Sequence, residues 1–140
     1  MTTRCRLGGL VFLCALLLAP PVTPAVGPHS VTNVSQELVR AYNAEDAVAL
    51  HQLLAPSLQA KYPLDRLRWS LTLCRVLTSE IFRISTSVWG ARRYGHFAVY
   101  AETKTFEMTL EIDDEEKIIH LVITDDITAT DQQCKISYLD

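Results

Sequence analysis

The side chains that could act as a general acid or base are scattered along this chain. They are His51, His96, Tyr100 and His120. Residues two apart on a strand share a face, so His96, Tyr100 and His120 could lie together on one face of a sheet, next to Glu102. The sequence does not set the strand register that this requires, and isolated histidines are more often surface residues. We therefore assign no catalytic residue.

The chain has no motif for metal-dependent, phosphate-binding or nucleophilic chemistry. It contains no His-x-Glu-x-x-His or Cys-x-x-Cys spacing, no glycine-rich phosphate loop and no Gly-x-Ser-x-Gly elbow. The acidic segment 113–116 lacks the glycine and the ligand spacing of a calcium loop and is typical of a solvated turn. We expect neither a metal nor a cofactor.

Large apolar side chains suggest a different kind of site, a pocket for a small apolar ligand. Aromatic rings fill space, and the indole of tryptophan adds a hydrogen-bond donor, which suits such a pocket. The same residues could instead be ordinary core. The candidates for lining a pocket are Trp69, Phe97, Phe106, Met108 and Leu110.

Strands must position most of these residues. In the segment 104–112, apolar residues occupy every second position with Thr or Glu between them, which is typical of a strand with one buried face. The segment 113–116 favours a turn, and the segment 117–124, rich in β-branched residues, completes a hairpin. Residues 93–103 supply a further strand, with a bend or strand entrance at Gly95.

Helices precede the strands. The apolar pattern predicts a first amphipathic helix from Val34 to about Asn43, a second from about Glu45 to a stop at Pro56, and a third that begins near Pro63.

The segment between the second and third helices, residues 57–62, is interpreted as a connector. In residues 79–89 the apolar period changes to two, with Phe82 and Ile84 on one face, so this segment is predicted to be a strand. The predicted fold class is α+β, with three N-terminal helices packed on one face of an antiparallel sheet of about four strands.

Residues 1–25 are typical of a secretory signal peptide. Two arginines and no acid precede the apolar run 7–18, and a proline-rich exit ends at Ala25. The run is shorter than the roughly 20 residues of a membrane-spanning helix, so a retained anchor is the weaker interpretation. Cleavage leaves 115 residues, and loss of the two arginines changes the net charge from −3 to −5, which disfavours nucleic acid as a partner.

The remaining 115 residues suffice for one small domain. We assign residues 26–33 to a linker, residues 34–126 to the domain, and residues 127–140 to an edge strand or a loose tail.

Two cysteines, Cys74 and Cys134, remain after cleavage. In an oxidising compartment they could form a disulfide, which on the chain-entropy account would contribute roughly 4 kcal/mol by closing a loop of about 60 residues. The alternative is a buried helix thiol and a free tail thiol. Asn33 begins the N-glycosylation motif Asn-Val-Ser, although the same segment could instead cap the first helix.

The first two predicted helices resemble those of the nuclear transport factor 2-like superfamily, in particular its SnoaL-like and secreted branches. The resemblance is carried by the phrase Tyr42-Asn-Ala-Glu-Asp46, followed by Leu50, Leu53, Leu54, Ala55 and Pro56. It covers residues 34–124 and implies a curved sheet that wraps against helices into a cone-like, cystatin-like architecture with an internal pocket. It implies no activity, since such folds host isomerases, cyclases, dehydratases and non-catalytic modules.

Three functions are compatible with these features. The first is a secreted, non-catalytic module that binds a small apolar ligand or a protein partner and could form a homodimer through the outer sheet face. The second is a SnoaL-like isomerase, cyclase or dehydratase acting on a hydrophobic substrate, and the third is an interaction protein whose cone is filled by its own side chains. Pocket volume and the polarity of its lining would separate them.

The alternation predicts opposite effects at two positions of the segment 104–112 that face opposite sides of the sheet. Leu110→Asp should abolish cooperative unfolding, because it places a charge among apolar side chains, whereas Glu107→Lys should change the free energy of unfolding by less than about 0.5 kcal/mol. Urea unfolding followed by circular dichroism measures both. Similar behaviour of the two variants would show that the alternation is wrong.

Overall fold

The computed structural model describes residues 28–87, 89–91, 93–126, 128 and 134–138. The predicted signal peptide, residues 1–25, lies outside the described residues, and so does most of the segment between the last two strands.

Four helices, rather than the three predicted, form the N-terminal half. They are α1 (Pro28–Asn43), α2 (Ala47–Leu53), α3 (Pro56–Lys61) and α4 (Leu64–Thr78). Helix α1 begins at Pro28, so most of the predicted linker is helical and Asn33 lies within the helix instead of capping it. Pro56 ends one helix and begins the next, because a proline at the first helical position costs no internal hydrogen bond. The predicted connector is therefore α3.

Six antiparallel strands, rather than about four, form one sheet. They are β1 (Ile81–Ile84), β2 (Trp89–Ala91), β3 (Tyr94–Ala101), β4 (Thr105–Ile112), β5 (Ile118–Thr124) and β6 (Cys134–Ser137). The order across the sheet is β1-β3-β4-β5-β6, and β2 also pairs with β3. In the described part of the chain the sheet is open rather than closed into a barrel, with β6, from the predicted tail, at one edge.

The predicted strand 79–89 is divided into β1 and β2, and its regular alternation is interrupted near its start. Ile81 pairs with Ala101, but Arg83 pairs with Tyr100, so Phe82 is an extra residue in a bulge. Ile81 is buried and Phe82 is exposed. A regular alternation cannot reveal a bulge, because one inserted residue moves all later side chains to the other face.

Two serine hydroxyls accept hydrogen bonds from backbone amides of β3 where its pairing with β1 ends. The backbone amide of Ala98 donates to Ser85 Oγ at 2.9 Å, and the amide of His96 donates to Ser87 Oγ at 3.3 Å. The edge of β3 between β1 and β2 is thereby satisfied without continuous strand pairing.

The helices cover one face of the sheet. Alternate residues of β4 are fully buried there, and the residues between them are exposed or half-buried, which confirms the predicted strand. Burying a Leu, Ile, Phe or Met side chain contributes about 1.5–3 kcal/mol, so this face drives the packing. The helical side chains that cover it include Val34, Leu38, Leu50, Leu58, Leu67 and Leu71.

Gly95 is required by close packing rather than by a bend. It is the second residue of β3, at the strand entrance that the sequence offered as an alternative, and it pairs regularly with Leu110. A β-carbon at this position would lie 2.6 Å from Cγ1 of Val31 and 2.6 Å from Cζ of Phe97. The missing side chain therefore lets α1 approach β3.

A disulfide ties the last helix to the edge of the sheet. Cys74 of α4 and Cys134 of β6 are bonded, with their Cα atoms 4.7 Å apart and a sequence separation of 60 residues. Of the two alternatives for these cysteines, the structure has the bonded one. On the chain-entropy account a loop of this length contributes roughly 4 kcal/mol.

Hydrogen bonds join the end of α1 to the end of α4 and to the start of β1. The hydroxyl groups of Tyr42 and Thr78 lie 2.6 Å apart. The Asn43 side chain donates to the carbonyl of Ile81 at 2.8 Å and accepts from its amide at 3.0 Å. Asn43 thus satisfies both backbone groups of Ile81, as a neighbouring strand would. Burial raises the pKa of Tyr42, although its bond to Thr78 and the charge of Arg75 oppose the shift.

Removing the hydrogen bonds between Asn43 and Ile81 should destabilise the fold. Asn43→Ala should lower the free energy of unfolding by about 2 kcal/mol, because two partly buried hydrogen bonds are lost and the backbone groups of Ile81 are left unpaired. Asn33→Ala, an exposed position on the same helix, serves as the control and should have little effect. Urea unfolding of protein produced without glycosylation makes the comparison. Equal effects at the two positions would contradict this role for Asn43.

Candidate functional site

The sheet face opposite the helices carries most of the described side chains that could do chemistry. The strand register aligns them in two rows that cross β3, β4, β5 and β6. These rows are Tyr94–Glu111–His120–Ser137 and His96–Thr109–Val122–Lys135. We call this surface the outer face.

The closest polar contact of the outer face joins β5 to β6. His120 Nδ1 lies 2.8 Å from Ser137 Oγ, and Glu111 is the register neighbour of His120 on its other side. Burial lowers the pKa of His120; the negative charge of Glu111 opposes this shift and the positive charge of Lys135 adds to it. A neutral imidazole beside a hydroxyl could accept its proton. However, only 1% of Ser137 is exposed, so the pair connects two strands and offers no accessible nucleophile.

His96 has looser contacts in the other row. Its Nδ1 lies 3.4 Å from Thr109 Oγ1, and its Nε2 lies 3.7 Å from a carboxylate oxygen of Glu107. Both distances are at or beyond the limit of a good hydrogen bond. A partly exposed ion pair of this kind contributes at most about 1 kcal/mol when the histidine is protonated.

The structure does not bring the predicted His, Tyr and Glu cluster together. His96, Tyr100 and His120 share the outer face, but Tyr100 lies four residues along β3 from His96, which is about 13 Å. The Tyr100 ring instead packs against Arg83, whose guanidinium carbon is 4.4 Å from the ring centroid. Glu102 lies beyond the end of β3 and is exposed.

The fourth candidate acid or base, His51, belongs to the helical layer. It is half-buried on α2, and its backbone carbonyl accepts a hydrogen bond from Gln59 Nε2 at 2.9 Å. It is therefore separated from the outer face by the core.

The five pocket candidates lie in two different places. Phe97, Phe106, Met108 and Leu110 are at most 1% exposed and belong to the core between the sheet and the helices. Trp69 is 65% exposed on α4. They do not line one common site.

Charged side chains are absent from the part of the core that the structure describes. Within the described residues, no carboxylate, histidine, lysine or arginine side chain is buried. The buried polar residues are serines, threonines and two tyrosines, and no buried side-chain nitrogen or oxygen in the described part of the chain lacks a hydrogen-bond partner.

Helix α4 carries an exposed apolar surface that the sequence interpretation missed. Trp69, Leu73 and Val76 are 65%, 40% and 78% exposed, and lie on the side of α4 opposite the residues that enter the core. Their spacing of four and three residues places them on one helix face. We call these three residues the α4 stripe. The sequence contains the α4 stripe as a second apolar periodicity, beside the first one, whose residues pack on the sheet.

The predicted glycosylation site is only partly accessible. The side chain of Asn33 is exposed on α1. Ser35, the third residue of the motif, is fully buried and its hydroxyl donates to the carbonyl of Thr32 at 2.7 Å.

Comparison of the chain with protein-family models, with curated proteins and with solved structures found no match. Within the described residues, no group of three or more His, Cys, Asp or Glu side chains is arranged to hold a metal ion. No helix there has the length and hydropathy to cross a membrane.

The lowered pKa of His120 predicts a stability change in mild acid. Because its folded pKa lies below the ordinary value of about 6.5, the unfolded chain binds more protons as the pH falls below that value, and the free energy of unfolding falls with it. His120→Asn keeps a polar atom near Ser137 but does not titrate, so the variant should lose less stability than the wild type between pH 7 and 5. Urea unfolding at each pH measures the difference, and identical pH dependences would contradict the assignment.

Proposed function

We propose that this protein is a non-catalytic binding module whose ligand is another protein surface. The observation that carries this proposal is the α4 stripe, an exposed apolar surface on a molecule whose buried sheet face is already covered by its own helices. Apolar side chains left in water on a rigid helix are a common anchor for partner helices.

Two other functions have less support. A small apolar ligand in the interior would have to displace core side chains such as Phe97 and Leu110, which are fully buried against their neighbours. An isomerase, cyclase or dehydratase of the SnoaL-like kind would need an acid or base within an enclosed site, whereas His96, Tyr100 and His120 are on the outer face.

The fold family and the location of the protein belong to the same proposal. Helices packed on an antiparallel sheet support a nuclear transport factor 2-like domain. Within the phrase that carries the resemblance, Tyr42 and Asn43 hydrogen-bond α1 to α4 and β1, and Asp46 caps α2. The Cys74–Cys134 disulfide supports an oxidising, extracytoplasmic compartment and thus the predicted secretion.

Native mass spectrometry of the chain, recovered from the medium or periplasm of cells that export it, tests the proposal. We expect complexes whose added mass is that of a polypeptide, because the exposed anchor is a helix face. The same sample after denaturation gives the mass of the chain alone as the control. A bound species of a few hundred daltons that leaves on denaturation would instead identify a small-ligand carrier.

A further inference from the structure

We propose that Asn33 carries an N-linked glycan that is attached before α1 folds and cannot be attached afterwards. This inference goes beyond partner binding and rests only on the proposed secretion, which brings the chain to the glycan donor. Asn33, Val34 and Ser35 form the acceptor motif Asn-x-Ser. The structure places the two ends of this motif on different sides of one helix.

The asparagine end of the motif faces solvent. Asn33 is exposed, and so are Gln36, Glu37 and Arg40, which follow it along α1. Residues three and four apart lie on the same face of a helix, so these four residues form one polar face. Glu37 and Arg40 form an ion pair on this face. A glycan on Asn33 would project from the polar face and displace no side chain of the core.

The serine end of the motif faces the core. Ser35 has no exposed surface, and its hydroxyl donates to the carbonyl of Thr32 at 2.7 Å. Val31 and Leu38, one turn to either side of Ser35, belong to the core cluster. Residues two apart in an α-helix are rotated by about 200°, so Asn33 and Ser35 point to nearly opposite sides. The motif requires both side chains, and no enzyme can contact both while α1 is folded onto the sheet.

The burial of Ser35 depends on parts of the chain that are synthesised later. Helix α1 packs against β3 and β4. Synthesis proceeds at about 5–20 residues per second, so the roughly 75 residues from Ser35 to the end of β4 take about 4–15 s. A helix of 16 residues derives most of its stability from tertiary packing, so α1 is only marginally helical during this interval. A transferase at the site of export therefore meets an accessible motif.

The transfer requires one co-reactant, an oligosaccharide linked through its anomeric carbon to a lipid diphosphate. A bond forms between Nδ2 of Asn33 and the anomeric carbon, and the bond from that carbon to the diphosphate oxygen breaks. The lipid diphosphate leaves with the electron pair of the broken bond, and the amide loses one proton to a base of the transferase. No group is oxidised or reduced in this step.

Secretion of the full chain, with its own residues 1–25, from cultured mammalian cells tests the site. We expect the chain in the medium to lose mass on digestion with peptide N-glycosidase, which converts a glycosylated Asn33 to Asp, as peptide mass spectrometry would detect. Asn33→Gln and Ser35→Ala should each abolish the modification, because each removes one end of the motif. Asn33→Gln keeps an amide at an exposed position and should have the circular dichroism spectrum of the wild type.

The possible results separate this inference from the proposed function. A chain that is secreted without a glycan would overturn the inference and leave secretion and partner binding standing. A chain that stays inside the cells without a glycan would overturn the proposed secretion and this inference together, while native mass spectra would still decide whether the chain binds another polypeptide.

Transfer by purified oligosaccharyltransferase, with a lipid-linked oligosaccharide as donor, tests the order of events. The substrate is unglycosylated wild-type chain exported to a bacterial periplasm, either native or reduced and carboxymethylated at Cys74 and Cys134. The native chain should be modified at least about tenfold more slowly, because α1 must first leave the sheet. Circular dichroism verifies that the first form is folded and the second unfolded. Equal rates for the two forms would overturn the proposed order.

Discussion

Covering one apolar sheet face is the constraint on which the rest of the structure depends. Alternate residues of β4 and their neighbours on β3 and β5 are at most 2% exposed, and every helix contributes side chains to the layer that covers them. The approach of α1 illustrates how tight this is, because Val31 and Phe97 occupy the space that a side chain at position 95 would need. A face filled in this way excludes polar groups unless they find partners, as Tyr42 and Thr78 do.

This constraint also determines where chemistry can occur. Strand alternation sends the polar residues of β3, β4 and β5 to the outer face, so the histidines of these strands lie away from the core. There they contact threonine, serine and glutamate in partly solvated surroundings, which leaves their charge open to screening by water and salt. Enclosure of a substrate would require a cover that the described residues do not include.

Local periodicity was sufficient for the parts of the fold that repeat, and insufficient where a single residue changes the pattern. The alternation in β4 and the buried stripe of α4 could be predicted because each repeats over several turns or residue pairs. Pro56 was interpreted as a stop, but whether a proline ends one helix or begins another depends on the following residues. The bulge at Phe82 and the exchange of hydrogen bonds between Asn43 and Ile81 depend on tertiary contacts that no local pattern encodes.

The exposed surface of α4 also depends on tertiary contacts that periodicity does not encode. A helix with one apolar stripe needs only one neighbour, and its sequence indicates which side is buried. Helix α4 has two stripes, so periodicity predicts that both could be buried but not by what. The sheet and the Cys74–Cys134 bond fix one stripe inside the molecule and thereby hold Trp69, Leu73 and Val76 outward in a rigid arrangement. Under the proposed function, such presentation would lower the entropy lost on association with a partner.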